Sequence, residues 1–311
     1  MNYKESGVNI ELADRLVEQI SNSEQIGKFA ANFTLPAYHN RNIVTSCDGV
    51  GTKILLALEA KRKYNRPLHS IGQDCVGMVA NDILCENATP LLFMDYFATG
   101  KLEEEIYLEI INGLQFACSW LKIPLIGGET SEMPDMFAEG AVDLCGFSIG
   151  VKNWLHRYPV EKGDRVIGIH SSGVHSNGFS LIRKLIEKDP VSREFLNQLL
   201  EPTRLYSSHV NLLDEKHHRI KAVAHITGGG FDNLNRVLPK DLTVKYHETD
   251  CFYAHSNTFS WIQERSGLSM AEMRQTYNCG VGMMVVLPAQ DQVPLEDYLY
   301  SELGVIEKVN C

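Results

Sequence analysis

Short apolar runs closed by glycine, each followed by a stretch with four-residue periodicity, recur along this chain. Ile43-Val44 leads into Thr45 to Lys53, which predicts a strand ending on Asp48, a turn through Gly49 and Gly51, and a helix starting at Thr52-Lys53. From Ser70 to Asn87, Ile71, Cys75, Val79 and Ile83 recur every fourth residue and predict a helix with one buried stripe. Pro90 to Thr99 reads as a buried strand ending in Gly100, and residues 103–120 as an amphipathic helix. Pro124-Leu125-Ile126 reads as a short strand broken by the carboxylate-bearing loop Gly127 to Pro134, and Val142 to Val151 as another strand. Before all of these, Ile10, Leu12, Leu16, Val17 and Ile20 give residues 5–20 a rough helical stripe.

The charged, proline-bearing run Lys152 to Asp164 reads as a connection, after which the pattern starts again. Asp164 to His170 is a strand, Ser171 to Gly178 a loop of small residues, and Phe179 to Glu187 a helix. Ala222 to Ile226 is a strand opening into Thr227-Gly228-Gly229-Gly230, with a helix expected from Phe231. Gly280-Val281-Gly282 leads into a strand from Met283 to Leu287, and Met270, Met273, Met283 and Met284 read as core. Two α/β domains are therefore expected, at residues 1–155 and 156–311.

Composition narrows the class. With 44% apolar and 22% charged residues the 311-residue chain reads as an ordinary globular protein, with no apolar run long enough for a membrane span. A net charge of −10 argues against nucleic acid as a partner. None of the eight cysteines forms a C-x-x-C pair, and no signal peptide is read at the N-terminus, so free thiols in a reducing cytoplasm are expected.

The candidate chemistry sits where strands end. Gly49 and Gly51 let backbone N–H groups approach an anion at the start of a helix, Asp48 can hold Mg²⁺ and Lys53 can meet a phosphate. The alternative is a plain strand-to-helix turn. Asp74 and Asn81 lie two turns apart on nearly one helix face, with Asp82 beside them, a spacing suited to metals strung along a triphosphate rather than to one ion. Asp95 adds a fourth carboxylate, and Glu129 with Glu132 a fifth and sixth. In the second half Ser171 to Gly178 presents His175 and Asn177, and His225 precedes Thr227 and three glycines. Each fits phosphate or amide recognition, with a tight connection or a core histidine as the plainer reading. His217-His218 reads as solvated surface.

Taken together and in order, DGVGTK at 48–53, DYFATGKL at 95–102, LIGGETSEMP at 125–134, SSGVHSNGFSL at 171–181, AHITGGGFDNLNRVLP at 224–239 and YNCGVGM at 277–283 resemble the phosphoribosylformylglycinamidine cyclo-ligase family. The resemblance runs from about Tyr3 to Met284. It implies an α/β fold of the α+β type, whose N-terminal domain binds ATP and pairs strands across a homodimer while the C-terminal domain closes the substrate cleft. It implies ATP and Mg²⁺ as cofactors and a phosphoribosyl small molecule as substrate. Matched by position, Asp48, Asp74 and Asp82 would serve the metal or ATP phosphates, assisted by Gly49, Gly51, Thr52, Lys53, Asn81, Asp95 and Glu129. His175, Asn177, His225 and Thr227 would face the reacting substrate. One departure stands out: where the family carries a glycine-rich segment, residues 26–33 hold a single glycine. Two other readings remain, a phosphotransferase of the same superfamily and a diverged nucleotide-binding protein without activity.

Overall fold

A computed structural model describes residues 28–35, 41–153, 158–215, 219–249, 252–291 and 299–309. The expected helix over 5–20 and the pair His217-His218 lie outside the described residues. The first half builds a sheet from β1 (Ala31–Leu35), β2 (Arg41–Gly49), β3 (Ala88–Thr99), β4 (Leu125–Glu132) and β5 (Val142–Lys152), in the order β1-β2-β5-β3-β4. The second builds another from β6 (Arg165–His170), β7 (Ala222–His225), β8 (Leu242–Tyr246), β9 (Val281–Leu287) and β10 (Tyr300–Lys308), in the order β7-β9-β6-β10-β8. Only β3 and β4 pair in parallel; the other neighbours are antiparallel, which makes the fold α+β in type.

The first sheet alternates along its strands. On β5, Val142, Leu144, Gly146, Ser148 and Gly150 are buried, while Cys145, Phe147 and Ile149 are half-exposed. Alternation of this kind marks a sheet packed on one face and open on the other. The packed face lies under α1 (Lys53–Tyr64) and α2 (His69–Cys85), with α3 (Glu104–Leu121) beside them. In the second sheet β7 and β9 are buried at every position, because helices cover both faces. Those helices are α4 (Phe179–Lys188), α5 (Arg193–Leu199), α6 (Ser207–Glu215), α7 (Ser256–Ser266) and α8 (Met270–Thr276).

Three elements differ from the pattern read in the sequence. The strand expected to stop at Ile126 continues through Gly127 and Gly128 to Glu132, since the ladder with β3 needs only backbone groups. The helix expected from Phe231 is a 3₁₀ segment, Gly230–Arg236, entered through Gly229 in the left-handed region. β9 begins at Val281 rather than Met283. Met273, Met283 and Met284 are core, as their spacing implies, and Met270 packs at its margin.

The two halves share one apolar interior. A single cluster runs from Ile54, Leu58, Ile71, Phe93 and Leu114 to Phe179, Ile182, Leu196, Phe259 and Met284 without a break. At ~25 cal/mol per Å² of apolar area buried, a core of that extent dominates the stability of the whole chain.

Candidate active site

The Gly turn stands where β2 gives way to α1. Asp48 closes the strand and accepts from its neighbour's Gly49 N at 2.7 Å, while Gly51 takes a φ of 61° that a larger side chain would resist. Burial and the charge of Asp82 push the Asp48 carboxyl up to about 6. Asp82, half-buried on α2, accepts from His225 Nδ1 at 2.9 Å across the boundary between the halves. Asp48 and Asp82 thus form a carboxylate pair with one histidine beside it. Asp95 lies in the same cross-strand row, because Asp48 and Asp95 both pair with Gly146, from either side. Two strand spacings of about 4.8 Å separate the backbones of Asp48 and Asp95. Burial also pushes the Asp95 carboxyl up to about 6.

The opposite wall comes from the second half. The loop Ser171 to Gly178 approaches the Gly turn: a Cβ placed on Gly51 would lie 3.8 Å from Ser176 O. Asn177 meets the triple-glycine loop, where a Cβ on Gly228 would lie 3.3 Å from Asn177 Oδ1. Gly228 is exposed and Thr227 and Gly229 are partly so, which opens this mouth to solvent. Thr52 is tied to Ser180, with their hydroxyls 3.1 Å apart.

Four residues expected at the site do something else in this structure. Asp74, expected to hold a metal, is fully buried. It accepts from Lys53 Nζ at 3.0 Å, from Thr203 N and Thr203 Oγ1 at 2.7 Å each, and from Ser176 Oγ at 3.2 Å. Lys53, expected at a phosphate, is equally buried and donates also to Glu201 O at 2.6 Å, so the two charges neutralise each other. Asn81 donates to Arg204 O at 2.9 Å and accepts from Tyr206 N at 3.1 Å. The two-turn spacing of Asp74 and Asn81 therefore matches the protein's own backbone: seven helical residues rise about 10 Å. The three residue-to-residue steps from Thr203 to Tyr206 can span about the same length. Glu129 belongs to the exposed strand β4, one residue on from the row of Asp95, and so faces the open side of the sheet.

The two histidines are both enclosed. His225 is fully buried, with Nδ1 on Asp82 and Nε2 3.4 Å from Asn81 Nδ2, so both ring nitrogens are engaged by the first half. His175 is held neutral, its pKa driven well below the ordinary value chiefly by burial, with the charge of Lys53 nearby adding to it. What the sequence did not single out is the segment Glu201 to Tyr206, which receives α2. It carries no periodicity, and only Pro202 marks it as a break.

Among the described residues no group of three or more His, Cys, Asp or Glu is placed to hold a metal by itself. Mg²⁺ at a phosphate site is usually held by one or two carboxylates and the substrate's own oxygens. Asp48 and Asp82 fit that demand: a buried carboxylate whose pKa is raised by burial and by a second carboxylate nearby is relieved by a cation.

A half-open sheet domain that ends in a Gly turn, locked by its second helix onto a covered sheet domain, defines a class. Residues 30–151 match the family model of AIR synthase related protein, N-terminal domain, and residues 161–299 that of the C-terminal domain. The same architecture is seen in thiamine monophosphate kinase from Aquifex aeolicus, with a TM-score of 0.64 and 16% identity over 99% of this chain and 95% of that one. It is seen too in a hydrogenase maturation protein HypE in complex with ATP, with a TM-score of 0.60 and 15% identity over 96% and 87%. These likenesses concern the fold. Within the class, sequence is decisive: the phosphoribosylformylglycinamidine cyclo-ligase of Thermoanaerobacter pseudethanolicus is 39% identical, covering 94% of this chain and 91% of that protein. Its counterpart in Clostridium botulinum (strain Okra) is 41% identical over 94% and 90%. The chain belongs to the phosphoribosylformylglycinamidine cyclo-ligase family.

Proposed function

We infer that the protein catalyses the ATP-dependent closure of formylglycinamidine ribonucleotide to 5-aminoimidazole ribonucleotide, releasing ADP and phosphate. The observation that carries this is the Asp48–Asp82 pair above the Gly turn, in a chain about 40% identical to cyclo-ligases over nearly its whole length. In this reaction ATP phosphorylates the formyl amide oxygen, an amidine nitrogen attacks that carbon, and phosphate leaves as the ring closes. Phosphoryl transfer asks a protein mainly for positioning and charge neutralisation. Mg²⁺ held by Asp48 and Asp82 would neutralise charge on the transferring phosphate. Of the backbone donors in the Gly turn, Gly49 N and Val50 N are taken by Asp48 Oδ1 and Leu144 O, which leaves those of Gly51 and Thr52 for a phosphate, and Asn177 and Thr227 would line the mouth where an acceptor enters. The direct test is formation of ADP and aminoimidazole product in equal amounts from purified protein, ATP, Mg²⁺ and the formylated amidine. Nucleotide hydrolysis without the imidazole product would overturn the reading.

His225 serves this site by orienting Asp82, as a histidine does for a metal-bound carboxylate. Changing His225 to Asn should lower stability by about 1–3 kcal/mol, the cost of disturbing a buried hydrogen bond. Turnover per folded molecule should fall as Mg²⁺ becomes limiting and recover at high Mg²⁺. A 100-fold loss of kcat at saturating Mg²⁺ with an unchanged melting temperature would instead make His225 the proton carrier.

The protein is proposed to work as a homodimer formed by its first sheet. The open face carries Ile43, Cys47, Met94, Tyr96, Phe147 and Ile149, and the edge strand β4 is exposed along most of its length, with Ile126 at 55%. A long open edge beside an apolar face is covered in native proteins or it aggregates. Sedimentation at micromolar concentration should give a dimer, and Phe147→Asp, at a position half-exposed in the single chain, should give a folded monomer. A wild-type monomer under those conditions rejects the arrangement. None of the described helices is long and apolar enough to cross a membrane.

A further inference from the structure

In and beside the loop Ser171 to Gly178, two buried hydrogen-bond donors have no partner among the described residues. His175 Nε2 accepts from Ser172 N at 3.2 Å and from Arg204 N at 3.5 Å. A ring nitrogen that accepts backbone N–H groups carries no proton, so in the neutral ring the proton sits on Nδ1. That Nδ1 is sealed from solvent and without a partner among the described residues. Arg204 supplies the second donor, since its Nε is likewise buried and unpartnered. Among the described residues Arg204 enters no ion pair, and its side chain donates to no group. Buried donors are nearly always met, and a fold that leaves two open on residues in contact, Arg204 N lying 3.5 Å from the His175 ring, has a use for an acceptor there.

Both groups are held stiffly. His175 stands at a φ of 66°, in the left-handed region that non-glycine residues rarely occupy. Its ring fits only because residue 282 is glycine: a Cβ there would lie 2.5 Å from His175 Cε1 and 2.0 Å from Tyr206 Oη. Arg204 is pinned through its backbone on both sides, N–H to His175 and carbonyl oxygen to Asn81. Strain kept in place by surrounding packing is a mark of functional positions.

We propose that His175 Nδ1–H and Arg204 Nε–H form a subsite for phosphate oxygens, Arg204 supplying charge and His175 a fixed, uncharged donor. The choice of ligand rests on the cyclo-ligase reading, which brings two sources of such oxygens to the site. One is the phosphate monoester of the phosphoribosyl substrate and the other the terminal phosphate of the nucleotide. In this arrangement His175 is a binding group and not a proton carrier.

The test is calorimetric titration of the full chain with two probes, ribose 5-phosphate and the Mg²⁺ complex of AMPPCP. Arg204→Met keeps length without charge, Arg204→Lys keeps charge without the planar fork, and His175→Asn keeps a residue that tolerates left-handed backbone. Loss of a charge-assisted contact should weaken ribose 5-phosphate about 10-fold or more in Arg204→Met, with Arg204→Lys between it and wild type. His175→Asn should weaken the same probe about fivefold, and AMPPCP should move less than twofold. A loss confined to AMPPCP would keep the subsite and give it to the nucleotide. Undiminished binding of both probes by Arg204→Lys and by any variant that melts like wild type would overturn the proposal and leave the donors to a buried water. So would a His175 imidazole that titrates between pH 5 and 8 in ¹⁵N spectra. Wild-type protein that binds ribose 5-phosphate through Arg204 yet makes no imidazole product would retain the subsite and refute the reaction. Normal product formation with undiminished binding in the variants would do the reverse.

Discussion

Asp48→Asn will abolish most of the activity and yet raise the melting temperature of the ligand-free protein at pH 7.5. The folded protein holds this carboxyl at about 6 against an ordinary 3.8, chiefly through burial and then through Asp82. A folded pKa above the unfolded one means that the folded state binds the extra proton, so stability falls as pH rises between the two values. Below about pH 4 the penalty is absent; above about pH 6 it is complete. Two units correspond to roughly 3 kcal/mol, and solvent screening at a half-buried carboxyl reduces this to about 1–2 kcal/mol. An amide carries no charge to repel Asp82, so that penalty disappears at every pH. In a chain of this size each kcal/mol moves the melting temperature by roughly 2–4 °C. Removing one charge-stabilising contact from a phosphoryl-transfer site costs about 10²–10³-fold in kcat. Thermal melts at pH 4.5 and 7.5, with turnover at limiting Mg²⁺, check both halves of the prediction. An active variant, or one that melts lower at pH 7.5, removes Asp48 from the site.

The second large effect belongs to Asp74. With Lys53 it forms an ion pair at 2.8 Å in which neither side chain has any exposure. Breaking such a pair strands a charge, and Asp74→Ala should lose about 3–5 kcal/mol by urea denaturation. Pairing it with Lys53→Met removes the stranded charge, and the double variant should recover most of the loss, apart from the bonds to Thr203 and Ser176. The alternative, that Asp74 holds a metal, predicts the opposite: near-normal stability and a strong loss of Mg²⁺-dependent activity in Asp74→Ala. The measured stability decides between them.

Both predictions turn on the helix whose reading was half right. The period of Ile71, Cys75, Val79 and Ile83 gave α2 and its buried stripe, since an amphipathic period is a local property. The same helix offered Asp74, Asn81 and Asp82 as a row of polar groups, and a sequence holds no sign of which partner a polar row will meet. Asp82 meets His225 beside Asp48, whereas Asp74 and Asn81 meet a segment more than 120 residues away. That segment, Glu201 to Tyr206, has no regular secondary structure and no periodicity, so nothing local announced it. The Gly turn was legible because its chemistry is carried by the backbone of a few successive residues. β4 was cut short because glycines signal a break in sequence, whereas a parallel ladder accepts them.

The grip of α2 on residues 203–206 sets how this chain can vary over generations. Asp74 and Asn81 hold Thr203, Arg204 and Tyr206 by backbone N–H and C=O groups, which every residue except proline offers in full. That part of the grip asks nothing of residue type, although the hydroxyls of Thr203 and Tyr206 add bonds of their own to Asp74 and His170; what it fixes is length, since one residue gained or lost would shift every donor off its acceptor. Insertions should be tolerated at the connector and forbidden between Glu201 and Tyr206. The position of Arg204 against His175 is inherited with that fixed length.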